Sequence, residues 1–245
     1  MQERFLRLGA YEVMYGGGKG SGKSDALLTA PLRWVGEKSF SALLLRREWK
    51  QAERTLYARS RELYPMLGAY WLAKRNRWVF PSGAEIEING AEKEDDVERY
   101  FGLPNLCFLG IDQLEHFTRD MYLALISCVR SSSGLPLRIR SSANPGGAGH
   151  DWLVERFAPW IYPRAGEPWH DPQYTGSHAA SGEALWYRTT SGEHGGEEQC
   201  ERGTHEPTCE EEPVRCAPGA PCPLHRPRSR VYVHARVKDN PHLRG

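Results

Sequence analysis

One glycine-rich stretch, residues 17–24, constrains the fold more than any other part of the chain. It fits the pattern G-x-x-x-x-G-K-[ST] with the residues Gly17, Gly18, Lys19, Gly20, Ser21, Gly22, Lys23 and Ser24. Glycines let backbone N–H groups surround a polyphosphate, the lysine can reach the β- and γ-phosphates, and the last hydroxyl can ligate Mg²⁺. Residues 11–15 before it are typical of a strand and residues 24–28 open a helix, as in a phosphate-binding loop. A flexible glycine-rich turn is the alternative.

A second pattern ends in a carboxylate. Residues 106–111 form an apolar run that predicts a buried strand, and Asp112 follows it. An aspartate at this position is typical of the Walker B motif, where it holds Mg²⁺; an ordinary core strand with a polar end is the alternative. Hydrolytic members of this class usually place a glutamate next, whereas here Gln113 follows and Glu115 comes two residues later. If the chain stays extended, Glu115 lies one pleat further along the strand than Gln113.

A third segment is polar and rich in glycine. Residues 135–139 alternate as a strand does, and residues 141–150 are expected to form the loop that follows. In a doubly wound sheet, loops at the carboxyl ends of strands line the ligand crevice, so Ser142 and Asn144 are placed to sense a γ-phosphate. An ordinary turn is the alternative. Asp151 is expected to cap the helix that follows over residues 152–157.

The phosphate-binding loop and the strand before Asp112 predict an α/β domain of the P-loop NTPase class, with a mostly parallel doubly wound sheet and flanking helices. Its other predicted elements are helices at 24–35 (interrupted by Pro31), 49–63 and 121–130, a strand at 41–45, and a hairpin at 77–80 and 84–88. Cys107 and Cys128 lie in apolar runs and are predicted to be inert core residues.

Charge and hydropathy limit the possible partners and the expected cellular compartment. The formal net charge of the 245 residues is +1, so any nucleic-acid surface must be local. We find no apolar run long enough to span a membrane and no signal-peptide pattern, which makes the cytoplasm the expected compartment.

Taken together, these motifs resemble the N-terminal packaging ATPase domain of tailed-bacteriophage large terminase subunits. The resemblance spans residues 2–6, the phosphate-binding loop, and residues 44–47, 80–84, 110–118 and 143–152. Its most specific part is Asn144-Pro145-Gly146-Gly147, followed by Gly149, His150 and Trp152. The family resemblance implies that the predicted α/β domain is RecA-like.

The resemblance implies roles for individual residues. It implies that Gln2 contacts adenine and that Lys19, where the family usually has arginine, assists chemistry at the γ-phosphate. It identifies Asp112 as the Walker B aspartate and the segment containing Ser141, Ser142 and Asn144 as the coupling motif. Gln113 departs from the family's glutamate, so we expect slow hydrolysis that uses Gln113, Glu115 or both.

The resemblance also implies partners: double-stranded DNA that ATP hydrolysis would move into a procapsid, a portal protein, a small terminase subunit, and further copies of the chain in a ring. The host cytoplasm is the implied location. Arg46, Arg47 and Arg130 are candidate phosphate-binding or trans-acting arginines, with solvated surface charges as the alternative. The family's nuclease domain is expected to be missing from this chain, since it ends shortly after a segment that resembles the interdomain hinge.

The segment 165–228 differs from the rest. It is polar and contains the candidate zinc ligands Cys200, Cys209, Cys216, Cys222 and His225, although only the last two form a short ligand pair. Unpaired thiols in a loop are the alternative to a zinc site. The predicted division is therefore an ATPase core at 1–164, an insertion at 165–228, and a last strand with the start of a hinge at 229–245.

Two other functions stay open at this stage. A helicase-like ATPase would use the same nucleotide motifs, and a nucleotide-binding assembly module without hydrolysis would be consistent with Gln113.

Overall fold

The computed structural model describes residues 2–103, 105–162, 165, 173, 176, 178–189, 197–199 and 228–235. Ten strands form one sheet: β1 Glu12–Gly17, β2 Ser41–Arg46, β3 Tyr70–Leu72, β4 Arg77–Val79, β5 Glu85–Gly90, β6 Phe108–Ile111, β7 Arg138–Ala143, β8 Leu185–Thr189, β9 Glu197–Gln199 and β10 Arg228–Ala235. The helices are α1 Gln2–Arg7, α2 Lys23–Thr29, α3 Trp49–Ala52, α4 Ala58–Leu63, α5 Asp95–Glu98, α6 Arg119–Ser127, α7 His150–Arg156 and α8 Ala158–Ile161.

The strand order is β3-β4-β5-β2-β6-β7-β1-β10-β8-β9. Every neighbouring pair from β5 to β10 along this order is parallel, and the pairs at both edges are antiparallel. This confirms the predicted mostly parallel sheet. Parallel strands need covered faces, because their crossover connections place helices on both sides of the sheet.

Strand β2 shows how the sequence covers both faces. Ala42 and Leu44 belong to a core cluster that includes residues of α2 and α3, whereas Leu43 and Leu45 belong to the cluster beneath α5, α6 and α7. Successive side chains of a strand point to opposite faces, so a continuous apolar run fits a strand buried on both sides. Cys107 and Cys128 are buried free thiols, as predicted.

Two predicted helices are present in modified form. Helix α2 ends at Thr29 and continues as a 3₁₀ turn over Ala30–Trp34, which accommodates Pro31 near its start. Helices α3 and α4 are joined without a break by a π-helical turn, Glu53–Tyr57, so the helix predicted over residues 49–63 is continuous but not regular.

The strand predicted at 135–139 was placed too early. Strand β7 spans Arg138–Ala143, so Ser141 and Ser142 are strand residues rather than loop residues. Both serines are buried. Their strand pairs with β1 on one side and with β6 on the other. The polar composition of this segment predicted a loop. Backbone hydrogen bonds to two neighbouring strands nevertheless stabilise it as a strand.

The predicted cap at Asp151 was also wrong. Helix α7 begins at His150 with Gly149 as its N-cap, and Asp151 lies inside the first turn. The backbone N–H of Gly149 donates to the Glu115 carbonyl at 2.8 Å, and the helix starts two residues earlier than predicted. Within the described part of the chain, no helix is both long and apolar enough to cross a membrane.

Candidate functional site

Four neighbouring strands bring the predicted motifs to one edge of the sheet. Strands β2, β6, β7 and β1 are adjacent in that order and run in parallel, so their carboxyl ends lie side by side. The segments that leave these ends are Arg47 onward, Asp112 onward, Asn144 onward and the phosphate-binding loop. Loops at this edge form the ligand crevice of open α/β sheets.

The phosphate-binding loop closes around its own lysine. Lys23 is buried, and its ammonium donates to the carbonyls of Gly17 at 2.9 Å and Gly18 at 2.6 Å and to Ser21 Oγ at 3.2 Å. Gly20 and Gly22 adopt positive φ angles of 76° and 75°, which side-chain-bearing residues rarely adopt. Lys19 lies exposed at the tip of the loop.

The charge of Lys23 is balanced by carboxylates across the site. Desolvation lowers the pKa of the Lys23 ammonium, while the nearby negative charges of Asp112 and Glu115 act in the opposite direction. The loop lysine and both carboxylates therefore belong to one electrostatic unit.

Gln2 reaches this loop from the start of the chain. It is the first residue of α1, and its side-chain amide donates to the Gly22 carbonyl at 3.0 Å. The fold thus places the predicted adenine-reading residue against the end of the phosphate-binding loop.

Asp112 is the most densely partnered acid of the site, with 1 % of its surface exposed. The Ser24 hydroxyl donates to its two oxygens at 3.1 Å each, and the Ser142 hydroxyl donates to Oδ1 at 2.5 Å. A serine hydroxyl and an aspartate carboxylate in direct contact are oxygen ligands of the kind Mg²⁺ binds in P-loop proteins, so these two residues fit the predicted metal site.

Arg46, at the end of β2, completes the surroundings of Asp112. Its Nε lies 3.2 Å from Asp112 Oδ2 and makes no aligned hydrogen bond, so we read the contact as a charge interaction. Its Nη1 donates to Thr55 Oγ1 at 2.9 Å, which ties the arginine to the π-helical turn. Both contacts are with residues of the same chain, and the sequence did not predict them. The available signal was its position at the end of β2, directly after the buried apolar residues 42–45.

The two other candidate arginines have different contacts. Arg47 is half-buried, with its guanidinium 5.8 Å from the centre of the Phe117 ring. Arg130 is exposed, and its Nε donates to the Leu103 carbonyl at 3.5 Å.

The chain does not stay extended after Asp112, contrary to the assumption made from the sequence. Gln113 has φ 60° and ψ 55°, a left-handed conformation that is uncommon for residues other than glycine, and Leu114–His116 form a 3₁₀ turn. The backbone N–H of Gln113 donates to Ser142 Oγ at 3.1 Å. Because this N–H bonds to a side chain instead of continuing the strand, the chain turns and brings Glu115 back to the site.

Glu115 is buried, with 3 % of its surface exposed, and has a free acceptor. Its Oε1 accepts a hydrogen bond from Asn144 Nδ2 at 2.7 Å, whereas Oε2 has no hydrogen-bond partner among the described residues. A buried carboxylate oxygen without a partner is costly, and such atoms are concentrated at functional sites.

The glycine-rich segment after β7 wraps around Glu115. Gly147 has φ 90°, and a Cβ on it would lie 2.9 Å from the Glu115 carbonyl oxygen. A larger residue at this position would therefore displace the turn that holds the carboxylate. Ser141, the first residue predicted for this segment, has its side chain buried without a hydrogen-bond partner in the described part of the structure.

The candidate zinc ligands Cys200, Cys209, Cys216, Cys222 and His225 all lie outside the described residues. Among the residues that the structure does describe, no group of three or more His, Cys, Asp or Glu side chains is arranged to hold a metal ion.

No protein-family model and no curated protein matches this sequence. Solved structures do match its fold. The large terminase of a thermophilic bacteriophage in complex with ATP-γ-S superposes with a TM-score of 0.56 at 9 % identity, over 99 % of this chain and 45 % of that one. Another crystal form of the same terminase gives 0.52 at 14 % identity, over 63 % of this chain and 41 % of that one.

The large terminase ATPase domain of Thermus phage P74-26 is similar with a TM-score of 0.50 at 18 % identity, over 74 % of this chain and 80 % of that domain. This chain therefore has the fold of phage large-terminase ATPase domains, and it spans less than half the length of the first matching terminase chain.

Proposed function

We propose that this chain is the ATPase domain of a bacteriophage DNA-packaging motor, and that it binds Mg·ATP and hydrolyses it. The observation that carries the proposal is the contact of Ser24 with Asp112 beside the loop lysine, with the free oxygen of Glu115 at the same edge of the sheet. The fold shared with terminase ATPase domains supports this particular kind of ATPase.

Ser24 and Asp112 would hold the magnesium ion, since their oxygens already lie within hydrogen-bond distance of each other. A bound magnesium ion would neutralise charge that develops on the phosphates. Lys23 would exchange its contacts with the loop carbonyls for the β- and γ-phosphates, because a full negative charge is a stronger partner than a carbonyl dipole. Lys19 is exposed and would supply a second cation at the γ-phosphate.

Glu115 would orient and polarise the attacking water. It is a carboxylate, it is held at Oε1 by Asn144, and its Oε2 remains free to accept a hydrogen bond from water. Gln113 carries no charge, and its backbone has the left-handed conformation at which the chain turns away from the direction of β6. We therefore assign the water-orienting role to Glu115, with Gln113 in a lesser part.

The coupling segment would report the nucleotide state through two contacts. Ser142 touches the magnesium-binding Asp112, and Asn144 touches the water-orienting Glu115. A change at either carboxylate would therefore be transmitted to β7 and to the glycine-rich turn that follows it. Ser141, on the opposite face of the strand, would contribute through the backbone.

The motor context adds partners to the proposal. The domain would act on double-stranded DNA, together with a portal protein, a small terminase subunit and further copies of the chain in a ring, inside the host cytoplasm. Contacts with DNA phosphates would make binding independent of sequence and sensitive to salt.

The direct test compares wild type with Lys23→Ala. We expect wild type to bind ATP in the presence of Mg²⁺ and to hydrolyse it slowly, with faster turnover when DNA and portal are added. Lys23→Ala should lose binding or turnover, because the phosphates lose their main cationic partner. Equal ATP affinity and rate in a folded Lys23→Ala variant would contradict the site.

A nucleotide-binding assembly module without hydrolysis is the second candidate, and Gln113 is the one observation that favours it. It predicts tight ATP binding by wild type and no release of phosphate under any of these conditions.

A further inference from the structure

Strand β7 carries a buried basic residue that plays no part in the chemistry described so far. Arg140 lies on β7 with 2 % of its surface exposed. Burial, together with weaker repulsion from Arg138 and Arg33, lowers the pKa of its guanidinium to about 9, so it is a cation at neutral pH. All the hydrogen bonds that it donates within the described chain go to backbone carbonyls. A buried cation without a carboxylate is costly and calls for an explanation.

The carbonyls that Arg140 binds identify what it holds. Its Nη2 donates to Leu8 at 2.7 Å and its Nη1 to Ala10 at 3.1 Å, and both carbonyls lie in the connection between α1 and β1. Its guanidinium also lies 6.0 Å from the centre of the Phe5 ring, the buried residue of α1. Arg140 therefore fastens the connection that follows α1 to the sheet at two points, and it lies beside Phe5 of the helix itself.

Helix α1 depends on such external contacts. It contains only six residues, and a helix of this length is not stable on its own. Phe5 stacks on Tyr15 of β1 with ring centres 5.1 Å apart, which provides a second, apolar attachment. Arg33 Nη1 also donates to the Leu6 carbonyl at 3.3 Å. The direction of the helix, and with it the place of its first residue, depends on attachments of this kind.

Gln2 is that first residue, and its amide already donates to the Gly22 carbonyl. We propose that Arg140 is a positioning residue for base recognition: by holding α1 against the sheet, it places the Gln2 amide where it reads the adenine of the bound nucleotide. This inference rests on the proposed binding of ATP. Arg140 and Ser142 point to the same face of β7, two residues apart, so one strand would set both the base end and the phosphate end of the site.

The test separates base recognition from phosphate binding. We would measure dissociation constants of the full chain for ATP, GTP and inorganic tripolyphosphate, the last of which has no base. Arg140→Lys keeps the charge but loses the planar fork of donors, and Arg140→Gln removes the charge. Arg138→Gln is the matched control, since Arg138 lies on the same face of β7 and is half-buried, and its side chain donates to the Leu137 carbonyl rather than to the α1 connection.

We expect Arg140→Lys and Arg140→Gln to weaken ATP binding by about fivefold or more, the effect of losing roughly one hydrogen bond, and to lower the preference for ATP over GTP. Tripolyphosphate affinity should change by less than about twofold, because the phosphate-binding loop is untouched. Gln2→Ala should have the same effect, and combining it with Arg140→Lys should add nothing. Arg138→Gln should resemble wild type.

Amide hydrogen exchange provides a second measure. Exchange at Leu8, whose N–H donates to the Arg4 carbonyl, should accelerate in Arg140→Lys while amides of β1 keep their protection. Loss of the whole fold in Arg140→Lys, unchanged ATP affinity, or equal losses for ATP and tripolyphosphate would each overturn the proposal. If wild type binds neither ATP nor tripolyphosphate, the proposed binding of nucleotide is itself contradicted. If wild type prefers ATP over GTP and the Arg140 variants keep that preference, only the role of Arg140 is contradicted.

Discussion

Two buried glutamates, Glu12 and Glu115, lie at opposite ends of the parallel strands, and their partners differ in kind. Glu12 opens β1 and accepts from Arg156 at 2.8 and 2.9 Å, from Arg230 at 3.0 Å and from the Tyr122 hydroxyl at 2.8 Å. At the carboxyl edge, Glu115 Oε1 accepts one hydrogen bond from the Asn144 amide and lies 4.0 Å from His116 Nε2, and its Oε2 has no hydrogen-bond partner among the described residues.

This difference separates the end of the sheet where carboxylate contacts hold the fold together from the end where we propose the chemistry. Burial is the largest single influence on Glu12 and raises its pKa, but Arg156 and Arg230 together outweigh it and hold the pKa well below its usual range. A saturated ionic cluster of this kind ties α6, α7 and β10 to β1. Glu115, in contrast, has an oxygen that can accept a hydrogen bond from a ligand or a water molecule.

The sharpest test of the chemical end is Glu115→Gln. The amide oxygen can still accept from Asn144, so the turn should remain intact, but the charge of the proposed water-orienting group is lost. We expect ATP turnover to fall by about 10²- to 10⁴-fold, with ATP affinity nearly unchanged. Steady-state phosphate release and equilibrium nucleotide binding measure the two quantities. Turnover at the wild-type rate would remove Glu115 from the mechanism.

The corresponding test of the structural end is Glu12→Gln. It removes the negative charge that Arg156 and Arg230 share in the interior, so we expect the free energy of unfolding to fall by about 3–5 kcal/mol. Urea denaturation measures the loss, and Glu115→Gln serves as the control, with an expected change below about 1 kcal/mol. Similar losses in the two variants would erase the distinction between the two ends.

The pH dependence of stability sharpens the same contrast. Because the pKa of Glu12 is lower in the folded protein than its ordinary value of 4.5, the folded state binds this proton less tightly than the unfolded state. The stabilisation from Glu12 is therefore complete above the unfolded pKa and is lost as the pH falls below it. Between about pH 5 and pH 2, the free energy of unfolding should fall less steeply in Glu12→Gln than in wild type. Parallel slopes in the two proteins would argue against an ionised, paired Glu12.

The smallest effect is expected for Gln113→Glu. A second carboxylate beside Asp112 should raise turnover by only about two- to fivefold, equivalent to less than about 1 kcal/mol of barrier, because Glu115 already supplies the charge. A much larger increase would show that position 113 handles the water. A Gln113→Ala variant provides the control for loss of the side chain and should stay close to wild type.

Local sequence patterns predicted the parts of the fold that depend on neighbouring residues. The spacing of glycines, Lys23 and Ser24 identified the loop, the apolar run before Asp112 identified β6, and the unbroken apolar stretch of β2 indicated a doubly covered sheet. They failed at β7, where backbone pairing with two strands decided the structure of a polar segment.

The sequence by itself determined that a phosphate-binding loop and a strand ending in Asp112 would share one sheet edge, because parallel strands connected by helices bring their carboxyl ends together. Only the tertiary structure decided which side chains meet there. Gln2 contacts Gly22, Arg46 contacts Asp112 and Asn144 contacts Glu115 across separations of 20 residues or more. Such contacts depend on strand order and on the left-handed turn at Gln113, and neither leaves a periodic signal in the sequence. They form when distant segments pack against each other, because a buried polar atom is stable only if the fold places a hydrogen-bonding group beside it.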